Sequence, residues 1–311
     1  MSKKFGIIFL TLICTVALLL SACGSNNDTG AETGSNNGVE LGQKELTMPY
    51  VSWASTVAGV NVIKVVLEDL GYEIELTQVT PGAMFAGIAD GSADMSVGAV
   101  TLPYTHKSYW KKYGDQIDDI GITMKDSVTI GLAVPSYMKI DSLEDLTNNT
   151  NNIGKKLEKT IVGIDPGAGQ MQLTKNTVMP GYKLDNWTLQ ATSGPAMTGA
   201  LSSAIEDHKP IVVTLWEPHW AFIEWDLKYL KDPQNLFGEP DSLHAVARKG
   251  LKEDAPAAYK VLDQFQWTKQ DMGKVMVKVH DGMDPLEAAK EWVENNQDKV
   301  KDWKKDLKAA K

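Results

Sequence analysis

The sequence predicts an α/β protein folded as two lobes, and three observations carry that reading. Strand-like and helix-like segments alternate in two successive series, a polar patch at residues 148–156 separates the series, and the roughly 268 residues from Lys44 onward are long for a single core. A single domain bearing a lid is the alternative, and it requires a larger continuous sheet.

In the first series, residues 46–53 are apolar and extended, and Val60, Ile63, Leu67 and Leu70 then recur at helical spacing until Gly71. Ile74, Leu76 and Val79 alternate with polar residues as a strand, and a helix is predicted from about Gly82 to Asp90. Two short apolar runs, 95–99 and 130–134, read as further strands. This rhythm predicts a mostly parallel sheet covered by helices. The second series places strands at 160–164, 187–190 and 211–215 and helices at 169–178 and 196–207. Residues 243–247 read as another strand. The remainder is helical, ending with Leu286, Ala289, Trp292 and Val293 on one face.

Ahead of the folded part, Lys3 and Lys4 precede an apolar run from Phe5 to Leu20, followed by Ser21, Ala22 and Cys23. That pattern reads as a secretory signal over residues 1–22 with Cys23 as the lipid-attachment site. An uncleaved membrane anchor is the alternative, but the run is shorter than the roughly 20 apolar residues a span needs and ends in small residues. Residues 24–43 are rich in Gly, Ser, Asn and Thr, lack aromatics, and read as a flexible tether about 25 Å long on average. The protein is therefore expected on the extracytoplasmic face of the cell membrane, held by lipid.

The formal charge of −9 becomes −11 when residues 1–22, with two lysines and no acid, are removed. Nucleic acid is excluded as a partner, because phosphate recognition needs a basic footprint. The final lysines alternate with Asp302 and Asp306 and read as one solvated helix. Cys14 leaves with the signal and Cys23 is used for lipid, so neither a disulfide nor a cysteine metal site is expected. The five histidines are never closer than 11 residues apart, so no metal-ligand spacing exists among them and no cofactor is predicted.

Catalytic signatures are missing: the chain has no nucleophile elbow, phosphate loop or dinucleotide fingerprint. A surface hydrolase and a purely structural lipoprotein are the readings from other classes. The segment Gly163, Ile164, Asp165, Pro166, Gly167, Ala168, Gly169 lies at a strand-to-helix turn. It is either a tight turn that needs glycine dihedrals or an anion site formed by the N–H groups of Gly169 and Gln170. Nine tryptophans outnumber six phenylalanines. Trp267, Trp292 and Trp303 sit in amphipathic helical text and are expected in the core. Trp53 and Trp216 instead stand at the ends of strand-like runs, where open α/β sheets place ligands. Together they suggest an aromatic clamp, and a methylated ammonium is the small-molecule partner that indole faces favour. His106 can donate a hydrogen bond to a ligand carboxylate in the same cleft, with His219 as the competing choice.

Pro49 to Trp53, the 61–72 helix, Leu102-Pro103-Tyr104-Thr105-His106, Gly163 to Gly169 and Trp216-Glu217-Pro218-His219-Trp220 resemble the glycine betaine binding proteins of ABC importers. Residues 230–233 and 247–251 extend the resemblance over nearly the whole mature chain. It implies a type II periplasmic-binding-protein fold with a ligand cleft between lobes, residues 44–140 with 240–311 forming one lobe and 141–239 the other. It further implies an osmoprotective compatible solute handed to an ABC permease, with no enzymatic step. In that family three tryptophans box the trimethylammonium group, while amides of the glycine-rich turn and a histidine hold the carboxylate. By resemblance Trp53 and Trp216 are two walls, Gly169 and Gln170 the amide pair, and His106 the histidine. Many members carry the third tryptophan directly before the Leu-Pro pair, where this chain has Val100 and Thr101. Val100, Thr101 and Tyr104 are the candidate positions for that wall. The implied ligand is glycine betaine or a related quaternary ammonium solute. Carnitine, proline betaine and choline are the alternatives.

Overall fold

The computed structural model describes residues 40–307, and of residues 125–127 only the backbone. The predicted signal, the lipidation site Cys23 and residues 24–39 of the tether lie outside the described residues. Among the described residues there are nine strands: β1 (Glu45–Tyr50), β2 (Glu73–Gln78), β3 (Met95–Leu102), β4 (Ile117–Pro135), β5 (Thr160–Val162), β6 (Thr188–Gln190), β7 (Val213–Glu217), β8 (Leu227–Tyr229) and β9 (Asp241–Arg248).

The first crossover follows the sequence pattern. Leu46 and Met48 point from β1 into the core, and β1 pairs in parallel with β2, Leu46 opposite Ile74. Between them runs the helix Ala54–Glu68, whose Val60, Ile63 and Leu67 are fully buried on one face, as residues three and four apart must be. It stops ahead of Gly71, as predicted.

The expected mostly parallel sheet is not what forms. The larger sheet has the order β3-β9-β4-β7-β5-β6 with β8 also on β4, and only β5–β6 and β5–β7 are parallel in it. β3–β9, β9–β4, β4–β7 and β4–β8 are antiparallel. The cause is β4, which runs for 19 residues where the hydrophobic pattern marked only 130–134. Its first stretch pairs with β9 through repeated register shifts, and its last stretch pairs with β7 and β8.

That strand also joins two apolar cores. Ile117, Met124, Val128 and Ala133 of β4 belong to the first core, with Val60, Met95, Leu262, Met276 and Trp292. Leu132 and Val134, on the opposite face from Ala133, belong to the second, with Leu143, Ile161, Val178 and Leu184. Trp267, Trp292 and Trp303 pack in the first core as expected, each under 5% exposed, with Trp292 and Trp303 stacked at 5.6 Å. Among the described residues no helix is long and apolar enough to cross a membrane.

One glycine sets where the first helix begins. Gly98, in β3, has φ +75°, and a Cβ there would lie 2.7 Å from the Ser55 carbonyl oxygen. The first turn of the 54–68 helix can therefore lie directly on β3, and Trp53 comes beside His106, in the turn after β3, with ring centroids 6.1 Å apart.

Candidate functional site

Trp53 immediately precedes the Ala54–Glu68 helix, and Trp216 is the penultimate residue of β7. Their indoles meet edge to face, with ring centroids 6.4 Å apart and planes at 61°. They border a cavity of about 40 Å³ that Thr101, Thr105, His106, Gly169 and Gln170 also line. The fold thus gathers five residues singled out in the sequence: Trp53, Trp216, His106, Gly169 and Gln170. Trp53 and Trp216 are 6% and 8% exposed, so what lies against their faces is shielded from water.

His106 follows β3 in a turn that Asp241 holds. The Asp241 carboxylate accepts the N–H of Tyr104 at 2.6 Å and that of Thr105 at 2.8 Å. The Thr101 N–H donates to His106 Nδ1 at 3.1 Å, and the Thr101 hydroxyl lies 2.9 Å from the same nitrogen. Nδ1 is therefore the acceptor, and the ring proton of the neutral imidazole sits on Nε2. Among the described residues, Nε2 is buried without a partner, and so is the Thr105 hydroxyl. A buried polar group left unpaired costs about 1–3 kcal/mol, and both of these belong to residues that line the same cavity.

Burial lowers the His106 pKa from 6.5 to about 4, outweighing the opposing effect of the Asp241 charge. The ring is then neutral at pH 7, with its proton on the unpartnered Nε2. The same shift makes folding pH-dependent. Below pH 6.5 the unfolded histidine takes a proton that the folded one refuses, so stability is full above that pH and is lost as pH falls towards about 4. His106 accounts for a loss on the order of 3 kcal/mol across this window. Urea unfolding at a series of pH values checks it: H106Q is expected to show a shallower decline, and equal slopes would remove His106 as the cause.

The glycine-rich turn is explained by close approach rather than by left-handed dihedrals. Gly163, Gly167 and Gly169 all lack positive φ angles, but a Cβ on Gly169 would lie 2.1 Å from the Thr105 carbonyl oxygen. Gly169 opens the helix Gly169–Leu173, so its N–H and that of Gln170 have no carbonyl within the helix to donate to. The Gln170 side chain is occupied elsewhere, its Nε2 donating to Gly131 O at 2.9 Å and Leu215 O at 2.8 Å. It fastens the start of this helix to β4 and β7.

Of the three positions considered for a further wall, the structure brings only Thr101 to the cavity. Val100 is fully buried away from it, and Tyr104 is 41% exposed with its ring beside Gly238. His219 lies outside as well. Its ring stands edge-on to Trp216 at 4.6 Å, and its Nδ1 accepts the Ala221 N–H, lining a neighbouring cleft. The sequence pattern missed Thr105, Asp241 and Asp165; the last accepts the Trp53 Nε1–H at 2.9 Å. Among the described residues there is no group of three or more His, Cys, Asp or Glu side chains placed to hold a metal ion.

Comparison with known proteins places this geometry in context. A family model described as the substrate binding domain of ABC-type glycine betaine transport system (OpuAC) matches residues 44–295. The glycine betaine/carnitine transport binding protein GbuC of Listeria monocytogenes serotype 1/2a (strain 10403S) is 53% identical over 154 residues, which is 49% of this chain and 51% of that protein. The chain thus spans about half the length of that curated relative. The crystal structure of lactococcal OpuAC, closed and complexed with glycine betaine, is 42% identical, covers 85% of this chain and 100% of that one, and superposes with a TM-score of 0.78. The glycine betaine/L-proline-binding protein ProX from Borrelia burgdorferi is 34% identical, covering 84% of this chain and 96% of that one, also with a TM-score of 0.78.

Proposed function

The chain belongs to the family of substrate-binding domains of ABC-type glycine betaine transport systems, and from that premise we propose that it captures glycine betaine between two lobes for an ABC permease. The family consists of transport receptors, and its fold is the two-lobed type II periplasmic-binding-protein fold. Residues 44–140 with 240–311 form one lobe in this reading and 141–239 the other. Partial support comes from the second core, whose buried members from Leu143 to Phe237 lie in the second lobe, while Leu132, Val134, Met138 and Ile140 join it from just before the boundary. Cys23 carries the lipid that holds the receptor on the extracytoplasmic face of the membrane.

The observation that carries the ligand assignment is the pairing of two chemistries at one small cavity. Two shielded indole faces suit a methylated ammonium, at about 0.5–2 kcal/mol per ring. The unpartnered His106 Nε2–H, with the Gly169 and Gln170 amides, suits a carboxylate at the other end of the same molecule. Both lobes touch the ligand in this arrangement, so binding favours the closed form, as only differential affinity can.

Titration with glycine betaine, proline betaine, carnitine and choline tests the assignment. Glycine betaine is expected to bind most tightly, because the cavity is small, and choline at least tenfold more weakly, because it has no carboxylate to meet His106. Equal affinity for choline would remove the carboxylate grip. Tighter binding of carnitine than of glycine betaine would show that Thr101, in place of a larger wall, makes room for the longer solute.

A further inference from the structure

Three side chains from the first part of the chain grip one turn of the second. Trp53 Nε1–H donates to Asp165 Oδ2 at 2.9 Å, Tyr109 Oη–H donates to Gly167 O at 2.8 Å, and Ser108 Oγ–H donates to Gln172 Oε1 at 2.9 Å. All three land between residues 165 and 172, the segment that brings Gly169 and Gln170 to the cavity. Only the first of these bonds is made by a wall of the cavity itself.

That bond has consequences the other two lack. The N–H is the sole polar handle of an indole, and it can only donate. A carboxylate acceptor makes the bond charge-assisted, roughly twice as strong as a neutral one, and turning the ring about its side-chain bonds would break it. The face that Trp53 shows the cavity is therefore set by Asp165, across 112 residues of sequence. A negative charge at the indole edge also reinforces the attraction of the ring face for a cation, which is electrostatic in origin.

We propose that Asp165 is a positioning residue for cation binding: through Trp53 Nε1 it holds the indole face towards the cavity and completes that wall when the two segments close on each other. The role rests on Trp53 as a wall for the ammonium group, and it goes beyond that assignment by placing an acid, itself outside the cavity lining, in control of the wall. Asp165 is half-buried and belongs to neither core, and its hydrogen bond reaches the first core only at Trp53, so the folded state of each variant is checked by its thermal midpoint.

Two variants of the full chain separate the hydrogen bond from a merely structural effect. D165A removes acceptor and charge, while D165N keeps an oxygen that can accept the Trp53 Nε1–H. Glycine betaine and choline are titrated against each, with W53A alongside, and the Trp53 indole N–H is followed by 1H–15N NMR. D165A is expected to weaken both ligands about tenfold and by equal factors, since both present the same ammonium head, and to move the indole N–H resonance upfield. D165N is expected to recover most of the loss, to within about threefold of wild type, with the resonance restored. D165A binding like wild type while W53A is impaired overturns the role of Asp165 and leaves the clamp standing; D165N as impaired as D165A overturns it too. Wild-type affinity in W53A as well removes the clamp itself.

Discussion

Replacing Trp53 or Trp216 with alanine is expected to weaken glycine betaine binding by about ten- to a hundredfold while the chain still folds. In the proposed clamp each ring would contribute an electrostatic attraction of up to about 2 kcal/mol when shielded, plus apolar contact that alanine cannot supply. The shielding is a feature of this cavity: both indoles are less than a tenth exposed. Phenylalanine at either position supplies the comparison. W216F keeps an aromatic face and is expected to lose no more than about tenfold. W53F also keeps a face but gives up the bond to Asp165, so it should fall further than W216F. Calorimetric titration reads the affinities, and the far-ultraviolet spectrum with the thermal midpoint reports whether each variant is folded. Wild-type affinity in both alanine variants would show that the edge-to-face pair is packing alone.

Much of the frame that places these rings was legible because it obeys short periods. The 54–68 helix announces itself through Val60, Ile63 and Leu67, and β1, β2, β3, β7 and β9 through brief apolar runs. The first half of β4 was not legible, because Asp118, Asp119 and Gly121 interrupt any alternation and its pairing with β9 shifts register three times. With that half hidden, the antiparallel centre of the sheet was hidden too, and a parallel arrangement followed by default. The site divides in the same way. Trp53 and Trp216 stand out as bulky aromatics at strand ends, a position whose meaning is local. Asp241 acts on a partner 137 residues away in sequence, and nothing near it distinguishes it from the other acids of a strongly acidic chain; Asp165 lies inside the glycine-rich turn, but its partner Trp53 is 112 residues away and the turn's own text does not reveal it. Thr101, a candidate wall by resemblance, has a task that only the fold reveals, with both its N–H and its hydroxyl directed at His106 Nδ1.

Adding one methyl group at Gly169 is expected to be as damaging as removing an indole. An alanine Cβ would lie 2.1 Å from the Thr105 carbonyl oxygen and 2.8 Å from its carbon, and both are backbone atoms. A flexible side chain could step aside, but this turn after β3 cannot, because Asp241 grips the amides of Tyr104 and Thr105. The relief must come from the Gly169–Leu173 helix moving away, which separates its first amides from His106 and opens the end of the cavity that suits a carboxylate. Forced overpacking of this kind costs about 1–3 kcal/mol. G169A is therefore expected to bind glycine betaine at least tenfold more weakly, with choline much less affected, since the ammonium end is untouched. G199A is the control. Gly199 lies on the exposed face of the Gly194–Glu206 helix with nothing within 4 Å of an added Cβ, so the substitution should leave binding alone and raise stability by up to about 1 kcal/mol. If G169A and G199A bind glycine betaine alike, the carboxylate does not sit where the turn meets Thr105, and the orientation of the ligand between indoles and imidazole has to be reversed.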